Sequence, residues 1–481
     1  LGHLGRADEP APAIEELMRR VPNFSRQYAL DYSPWLDDDY FRHLADGLEK
    51  AGLPEPTSAE EAAEPPALPD KPSIAVLPFD NLSGDAEQEY FSDGITEDII
   101  TDLSKVSALF VIARNSTFTY KGKAVDVKQV AAEMAVRYVV EGSVRKAANR
   151  VRITAQLIDG STGGHVWADR YDRELTDIFE VQDEVTRNIV DSLKVVLSPD
   201  EDARIGGKGT RNMEAYDIAL RARDLIWRFT AETNAEALVM LKKAVELDPK
   251  FSLAQSGLSL LLSTDYVNGW NEATYETLEE CLDLARLAIE LDATDPQGYW
   301  ALAVAFMWKR DLDRANLEIE RAIALDTNLA SAYAIQGNIL GFAGRPVEAM
   351  ASLEKAMSLD PQFPDIYLHL LGHSLLLQGK YEDAAEHLRS RIRRFPETDI
   401  SRVLLASCYG HLGQKDAAEK VWQELLLGHP DFSLENKERV QPYKNPADWE
   451  HILDGLRKAR LPEPAPAEEA PPTLPDKPSI A

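Results

Sequence analysis

The chain has 481 residues, 44% hydrophobic and 28% charged, with 2 cysteines and a formal charge of −29 at pH 7. That apolar share excludes wholesale disorder, the acidity argues against phosphate backbones and anionic lipid as partners, and two cysteines make neither a disulfide framework nor a four-thiolate zinc site. No uninterrupted apolar run approaches the roughly 20 residues of a membrane helix, and at roughly 150 residues per domain the length suggests about three domains.

The two ends of the chain repeat one another. Gly2-His3-Leu4-Gly5 recurs as Gly410-His411-Leu412-Gly413, and Pro22, Phe24 and Ser25 recur as Pro430, Phe432 and Ser433, all 408 positions on. The same offset relates His43, Asp46, Gly47 and Leu48 to His451, Asp454, Gly455 and Leu456, whereas Leu68 to Ala75 returns as Leu474 to Ala481 at an offset of 406. The copies differ, with Trp35 answering to Tyr443 and Phe41 to Trp449. The expected organisation is one full unit of a tandem array. Residues 1–52 would be the tail of a preceding unit, half a helix hairpin plus a capping helix. Residues 53–71 would be a linker, and 461–481 a second linker with the start of a further unit. Both linkers are rich in Pro, Ala and Glu, a composition that makes semi-rigid extended spacers. Asp37-Asp38-Asp39 lacks the Gly and distal Glu of a calcium loop and reads as a helix start, where acidic side chains favour the dipole.

Residues 72–200 read as an α/β domain. Ile74 to Phe79 is a short apolar run of buried-strand type. Ser92-Asp93-Gly94 is expected to cap a helix carrying Ile95, Ile99 and Leu103 on one face. Leu109 to Ile112 reads as a second strand, and Asp126 as the cap of a short helix bearing Val127, Val130, Ala131 and Met134. Arg137 to Arg145, Val151 to Ile158 and His165 to Tyr171 form a meander, turned at Ala148-Asn149 and Asp159-Gly160. A helix over about Asp177 to Leu197 closes the domain, with Ile178, Val181, Val185, Ile189 and Leu193 in one stripe.

The run Asp70 to Phe79, with Tyr90-Phe91-Ser92-Asp93-Gly94, Ala113-Arg114-Asn115-Ser116-Thr117, Val140-Glu141-Gly142-Ser143-Val144 and His165 to Asp172, resembles the TolB N-terminal-type domain. It is similar above all to bacterial versions lying between a class III adenylate cyclase domain and tetratricopeptide repeats. The resemblance implies a mixed sheet flanked by helices and a regulatory or partner-binding role without chemistry of its own. Asn81, Asp93, Asn115 and Asp169 fall near strand or helix ends, where loops could form a ligand site; the same residue types equally cap helices and shape turns. Gly206-Gly207-Lys208-Gly209-Thr210 lacks the spacing of a phosphate loop, and 201–211 reads as a hinge.

From 212 to 430, helix ends recur at Leu247-Asp248, Leu291-Asp292, Leu325-Asp326 and Leu359-Asp360, then Phe395-Pro396 and His429-Pro430, mostly at or near a spacing of 34. The one spacing of 44 has its surplus around Thr264 to Thr274. Small residues recur in phase (Ala237, Ala244, Cys281, Ala288, Ala303, Ala315, Ala322, Gly337, Ala349, Ala356), with Leu241, Ile319, Leu353, Leu388 and Trp422 filling the space between hairpins. The pattern resembles the tetratricopeptide repeat, a helix hairpin per period. It implies about six hairpins stacked into a solenoid whose concave face is lined by the first helix of each pair. Inward candidates are Trp300, Val304, Trp308, Asn338, Phe342, His369 and His373, groups suited to a peptide or partner helix, though several could equally belong to the inter-repeat core. His369 and His373 are four apart on one helix, but no third ligand is evident and no metal is expected. Cys281 and Cys408 read as small core fillers. Residues 431–460 should carry a capping helix over about Ala447 to Arg460.

The expected fold class is thus α/β plus all-α: a TolB-N-like mixed sheet flanked by helices, then a tetratricopeptide α-solenoid, as one unit of an array. No catalytic constellation is evident, so the expected function is a non-enzymatic protein-protein interaction or regulatory scaffold without cofactor, binding a protein or peptide on the concave face. The alternative is a subunit of a filament or surface fibre built by head-to-tail docking of units. Location follows function, cytoplasmic if linked to a cyclase and extracellular if a fibre. Asn23, Asn81 and Asn115 match the glycosylation pattern, read as coincidence in a bacterial-looking chain.

Overall fold

The apolar run at Ile74 forms strand β1 (Ser73–Val76), all four residues buried. It belongs to a mixed sheet with β2 (Asp80–Asn81), β3 (Phe110–Val111), β4 (Tyr138–Ala147), β5 (Arg150–Asp159) and β6 (Gly164–Glu174). The order is β3-β1-β4-β5-β6, with β2 beside β4. β1 runs parallel to β3 and β4, and β4, β5 and β6 form an antiparallel meander. Alternation along β5 sends Val151, Ile153, Ala155 and Leu157 to one face, where each is at most 1% exposed. Helices α1 (Glu89–Ser104) and α4 (Ile178–Ser192) cover that face through Ile95, Ile99, Leu103, Val181, Val185 and Ile189. Between them in sequence lie α2 (Arg114–Phe118) and α3 (Val127–Glu133), and Val130 and Ala131 of α3 join Ala75, Ile112 and Val139 in a second core. In this computed structural model the described residues are 69 and 71–461, apart from 207–208, 227, 229, 271–272 and 431. The segments that carry the tandem-array reading, 1–68 and 462–481, lie outside the described residues, as do Asp37 to Asp39 and Gly207-Lys208.

Two elements depart from the sequence reading. Ser92-Asp93-Gly94 does not cap α1; the helix starts three residues earlier, and all three are buried within it. Packing outweighs cap chemistry there, since a Cβ on Gly94 would lie 2.7 Å from Cδ2 of Leu220. The closing helix stops at Ser192, short of Leu197, because Lys194 turns into the left-handed region at φ 56°, a common way to end a helix.

After α5 (Pro199–Arg204), capped reciprocally by Ser198 and Glu201, the chain forms six antiparallel hairpins among the described residues. They are α6 (Met213–Ile226) with α7 (Ala231–Leu247), α8 (Ser252–Asn268) with α9 (Thr277–Leu291), and α10 (Pro296–Trp308) with α11 (Leu312–Leu325). Then come α12 (Ala330–Phe342) with α13 (Pro346–Leu359), α14 (Ile366–Leu377) with α15 (Tyr381–Arg394), and α16 (Ile400–His411) with α17 (Lys415–Gly428). The in-phase small residues allow the close approach: Ala237, Cys281, Ala303, Ala315, Ala349 and Ala384 are all fully buried. Burial pushes the thiols of Cys281 and Cys408 up to about 11 and about 12, so both stay protonated in the core.

A short helix α18 (Leu434–Val440) precedes α19 (Pro446–Ala459), which packs on α16 and α17. The contact is made through glycine, since a Cβ on Gly410 would lie 1.8 Å from the carbonyl oxygen of Gly455. Gly410→Val should therefore undock α19 and cost about 3 kcal/mol, the upper range for overpacking. Urea unfolding with hydrogen exchange along 446–459 checks this; an unchanged midpoint and unchanged protection would refute it.

Candidate functional site

The α/β domain is seated on one edge of the solenoid, at turns where an outer helix passes to the next inner helix. The Leu-Asp ends supply the contact. Asp326 is 1% exposed and accepts from Ser104 Oγ at 2.5 Å. Asn328, two residues on, donates to the carbonyls of Ser104 and Leu109 at 2.8 and 3.3 Å and accepts from Val111 N–H at 3.3 Å. One turn further along the stack, Asp360 is fully buried and accepts from Ser116 Oγ and from Asn115 Nδ2. Ser116 Oγ in turn accepts from Gln362 N–H at 2.8 Å. Burial raises the pKa of both aspartates, against these hydrogen bonds. Burial also opposes the charge of Lys105, but Asp102, Asp295 and Asp326 outweigh it and raise its pKa. On α6, Arg223 reaches Asp98 Oδ1 at 3.2 Å and the carbonyl of Gly94 at 3.2 Å. Gln182 and Tyr216 also donate to Asp98.

This accounts for Asn115: it is a docking residue. The other three loop candidates serve elsewhere, and no hydrogen bond joins any two of the four. Asn81 shapes the turn after β2, donating to the carbonyl of Asp85 at 2.9 Å and accepting from Ser83 N–H at 3.0 Å. Asp93 pairs with Lys121, and burial raises its pKa against that pairing. The cavity beside it, lined by Tyr90, Asp93, Glu97, Arg114 and Arg223, holds about 10 Å³, room for one water at most. Asp169 lies exposed on β6, its carboxylate accepting from Arg170 N–H at 2.7 Å.

Of the groove candidates, Val304, Phe342 and His373 are buried, while Trp300, Trp308, Asn338 and His369 are half-buried. Three of them form a row across successive inner helices. The rings of Trp308 and Phe342 are 6.3 Å apart, and those of Phe342 and His373 5.3 Å. The row is completed by a residue the sequence reading did not place there, Tyr443, between the two cap helices. Its ring stands edge-on to Phe342 at 5.0 Å, and its hydroxyl lies 2.8 Å from His373 Nε2. Lys444 N–H donates to the carbonyl of Phe342 at 2.9 Å, and its ammonium contacts Asp313 at 2.7 and 2.9 Å. Arg310 donates to the carbonyls of Glu438 and Arg439. The inner helices carry the repeat's period, whereas the segment laid across them is far apart in sequence from its contacts and not periodic.

The two histidines are neutral. Burial lowers the pKa of His369 to about 4 and that of His373 to about 3, with His369 adding to the second shift. His369 Nδ1 lies 2.9 Å from Ser401 Oγ. Each histidine is thus matched to a hydroxyl, and among the described residues no group of three or more His, Cys, Asp or Glu is placed to hold a metal ion.

Comparison with known proteins places these parts. Residues 343–388 match the tetratricopeptide repeat, and the other hairpins repeat the same two-helix arrangement. Residues 70–188 match the HilA/YgeH-like transcriptional regulator, second domain. That corrects the expected TolB N-terminal resemblance, which the comparison does not bear out for this domain. Over 254 residues the chain is 58% identical to a Rhizobium meliloti protein named "Putative adenylate cyclase 3", covering 53% of this chain and 43% of that one. The chain thus spans less than half the length of that relative. That name contradicts the expectation that the chain is not an enzyme; the expectation rested on finding no catalytic constellation, which a chain spanning part of its relative cannot decide. Among solved structures, a thermophilic tetratricopeptide protein of Thermus thermophilus is 17% identical over 40% of this chain and 98% of its own, with a TM-score of 0.33. TolB from Acinetobacter baumannii is 18% identical over 26% of this chain and 29% of its own, with a TM-score of 0.21. No helix among the described residues is long and apolar enough to cross a membrane.

Proposed function

We propose that this chain is the protein-docking portion of an adenylate cyclase-type protein. In this reading the inner helices receive a segment of a partner, and the HilA/YgeH-like domain, fixed to the repeat edge through Asp326, Asn328 and Asp360, moves with them. The cyclase activity belongs to the proposal and rests on the relative's name. The observation that carries the docking role is the groove itself: Trp308, Phe342 and His373 already surround a non-helical peptide step, with a backbone hydrogen bond from Lys444 to Phe342. A surface that holds one peptide by ring contacts and a main-chain bond is suited to another.

Trp300 offers the test. It is half-buried on α10, and its indole N–H is buried without a hydrogen-bond partner among the described residues. A photo-crosslinking amino acid at position 300 should give a discrete adduct with one partner in cells, and Trp300→Ala should weaken that partner's capture about tenfold, as for an aromatic anchor at an interface. Diffuse crosslinking, or capture unaffected by the alanine, would remove the groove from consideration. The fibre reading, head-to-tail docking of units, gains no support from the described residues.

A further inference from the structure

The turns inside four successive hairpins each place one residue in the left-handed region: Arg310, Gly344, Gly379 and Gly413, at φ 65°, 75°, 75° and 73°. Glycine adopts that conformation without steric penalty, and three of the four turns use it. An arginine in the fourth gives up the freedom from Cβ clash that the glycines have. Its side chain makes the return: Arg310 Nη2 donates at 3.2 and 2.8 Å to the carbonyls of Glu438 and Arg439, near the end of α18.

The segment so gripped is held as a ligand is held. α18 buries none of its side chains. Lys437 pairs with Asp399 at 2.5 Å on the far side of the groove, with both side chains about a quarter exposed. The deep contacts come from one step, Pro442-Tyr443-Lys444. Pro442 is buried, the Tyr443 ring lies between Phe342, His373 and Trp449, and the Lys444 ammonium meets Asp313.

We propose that residues 433–445 are a resident ligand of the groove, and that the partner is a segment of the same chemistry that displaces them: a helical turn followed by Pro-Tyr-Lys. Each demand comes from a groove residue. Arg310 takes the carbonyls that end the turn, the Phe342 carbonyl takes a backbone N–H, and Asp313 takes a cation. The ring hydroxyl is matched to neutral His373, which has no charge to offer a phosphate, so an unmodified tyrosine fits and a phosphotyrosine does not. The inference rests on reading the groove as a docking site and adds the partner's chemistry and a competition: a groove already filled binds only as well as its open fraction allows.

The test titrates a fluorescent synthetic peptide of residues 433–445 into the full chain. The intact chain should bind it weakly. Tyr443→Ala, which loosens the resident segment, should bind it at least about tenfold tighter. Arg310→Gly added to that variant keeps the turn and removes the grip, and should cancel the gain. A phosphotyrosine version should not compete. Equal affinity of intact and Tyr443→Ala chains, or indifference to Arg310→Gly, would overturn the proposal. Where Tyr443→Ala fails to fold by circular dichroism, Lys444→Glu, at an exposed position facing Asp313, gives the same comparison. Crosslinking at position 300 with no binding of this peptide would leave the docking role standing and refute the resident-ligand chemistry alone; peptide binding with no cellular adduct would do the reverse.

Discussion

Replacing Asp360 with alanine is expected to cost about 3 kcal/mol and to divide one unfolding transition into two. The carboxylate is fully buried where the α/β domain meets the end of α13. It accepts from Ser116 Oγ and from Asn115 Nδ2 at 3.1 Å, beside a main-chain bond from Ala113 N–H to the carbonyl of Leu359 at 2.8 Å. Alanine leaves the buried Ser116 hydroxyl and the half-buried Asn115 amide without this acceptor; the first costs about 1–3 kcal/mol and the second less. Part of that is offset, because burial already disfavours the ionised Asp360 and raises its pKa. Asp360→Asn keeps one acceptor for Ser116 but turns an amide toward Asn115, so its loss should be intermediate. Urea unfolding with hydrogen exchange checks both variants, read on α12 to α17 for the repeats and on β4 and β5 for the sheet. Coincident transitions at the native midpoint in Asp360→Ala would show that this aspartate does not couple the two parts.

That coupling shows where the sequence was legible and where it was not. Strand β5 could be read from alternation alone, because one face of it is core and the other solvent. The hairpins could be read from the period, because two helices approach closely only where Ala237, Ala315 or Ala384 stands. The Leu-Asp ends were equally visible, but as punctuation. Nothing local distinguishes Asp326 and Asp360, which bind the α/β domain, from Asp292, which accepts from its own Thr294 N–H at 2.9 Å. Only the fold brings Ser104 and Ser116 to the first two. Asn115 was singled out for its residue type, and its partner lies 245 positions away. The row of rings is similar: Trp308, Phe342 and His373 share one phase of the repeat, whereas Tyr443 and Arg310 lie outside it. The one hint was Arg310 itself, standing where Gly344, Gly379 and Gly413 stand in the turns that follow, a break in the repeat whose reason lies in the segment it holds.

The second large effect is one of pH, and it is local to the row of rings. His373 is 3% exposed, with its pKa lowered by burial to about 3. In the unfolded chain it titrates near 6.5. Between those values the unfolded state binds the extra proton, so the stability His373 provides is whole above pH 6.5 and falls as the pH drops toward 3. The slope is about 1.4 kcal/mol per pH unit, or about 2 kcal/mol between pH 6.5 and 5. The whole protein does not report this cleanly, because Asp295, Asp326 and Asp360 have raised pKa values and act in the opposite sense over acid pH. A difference measurement removes them. Relative to His373→Gln, which cannot take the proton and can still meet the Tyr443 hydroxyl, the native chain should lose about 2 kcal/mol on going from pH 6.5 to 5. The groups facing the ring do not reverse the sign: His369, wherever it is protonated, repels a charge on His373, Tyr443 is held protonated by burial, and Asp399 acts on His369. The folded ring stays neutral over this range, so the proton is taken up only where the row of rings opens; exchange protection of residues 440–445 should therefore fall over the same range in the native chain and stay level in the glutamine variant. Parallel pH profiles for the two proteins would mean that His373 is not buried neutral against Tyr443.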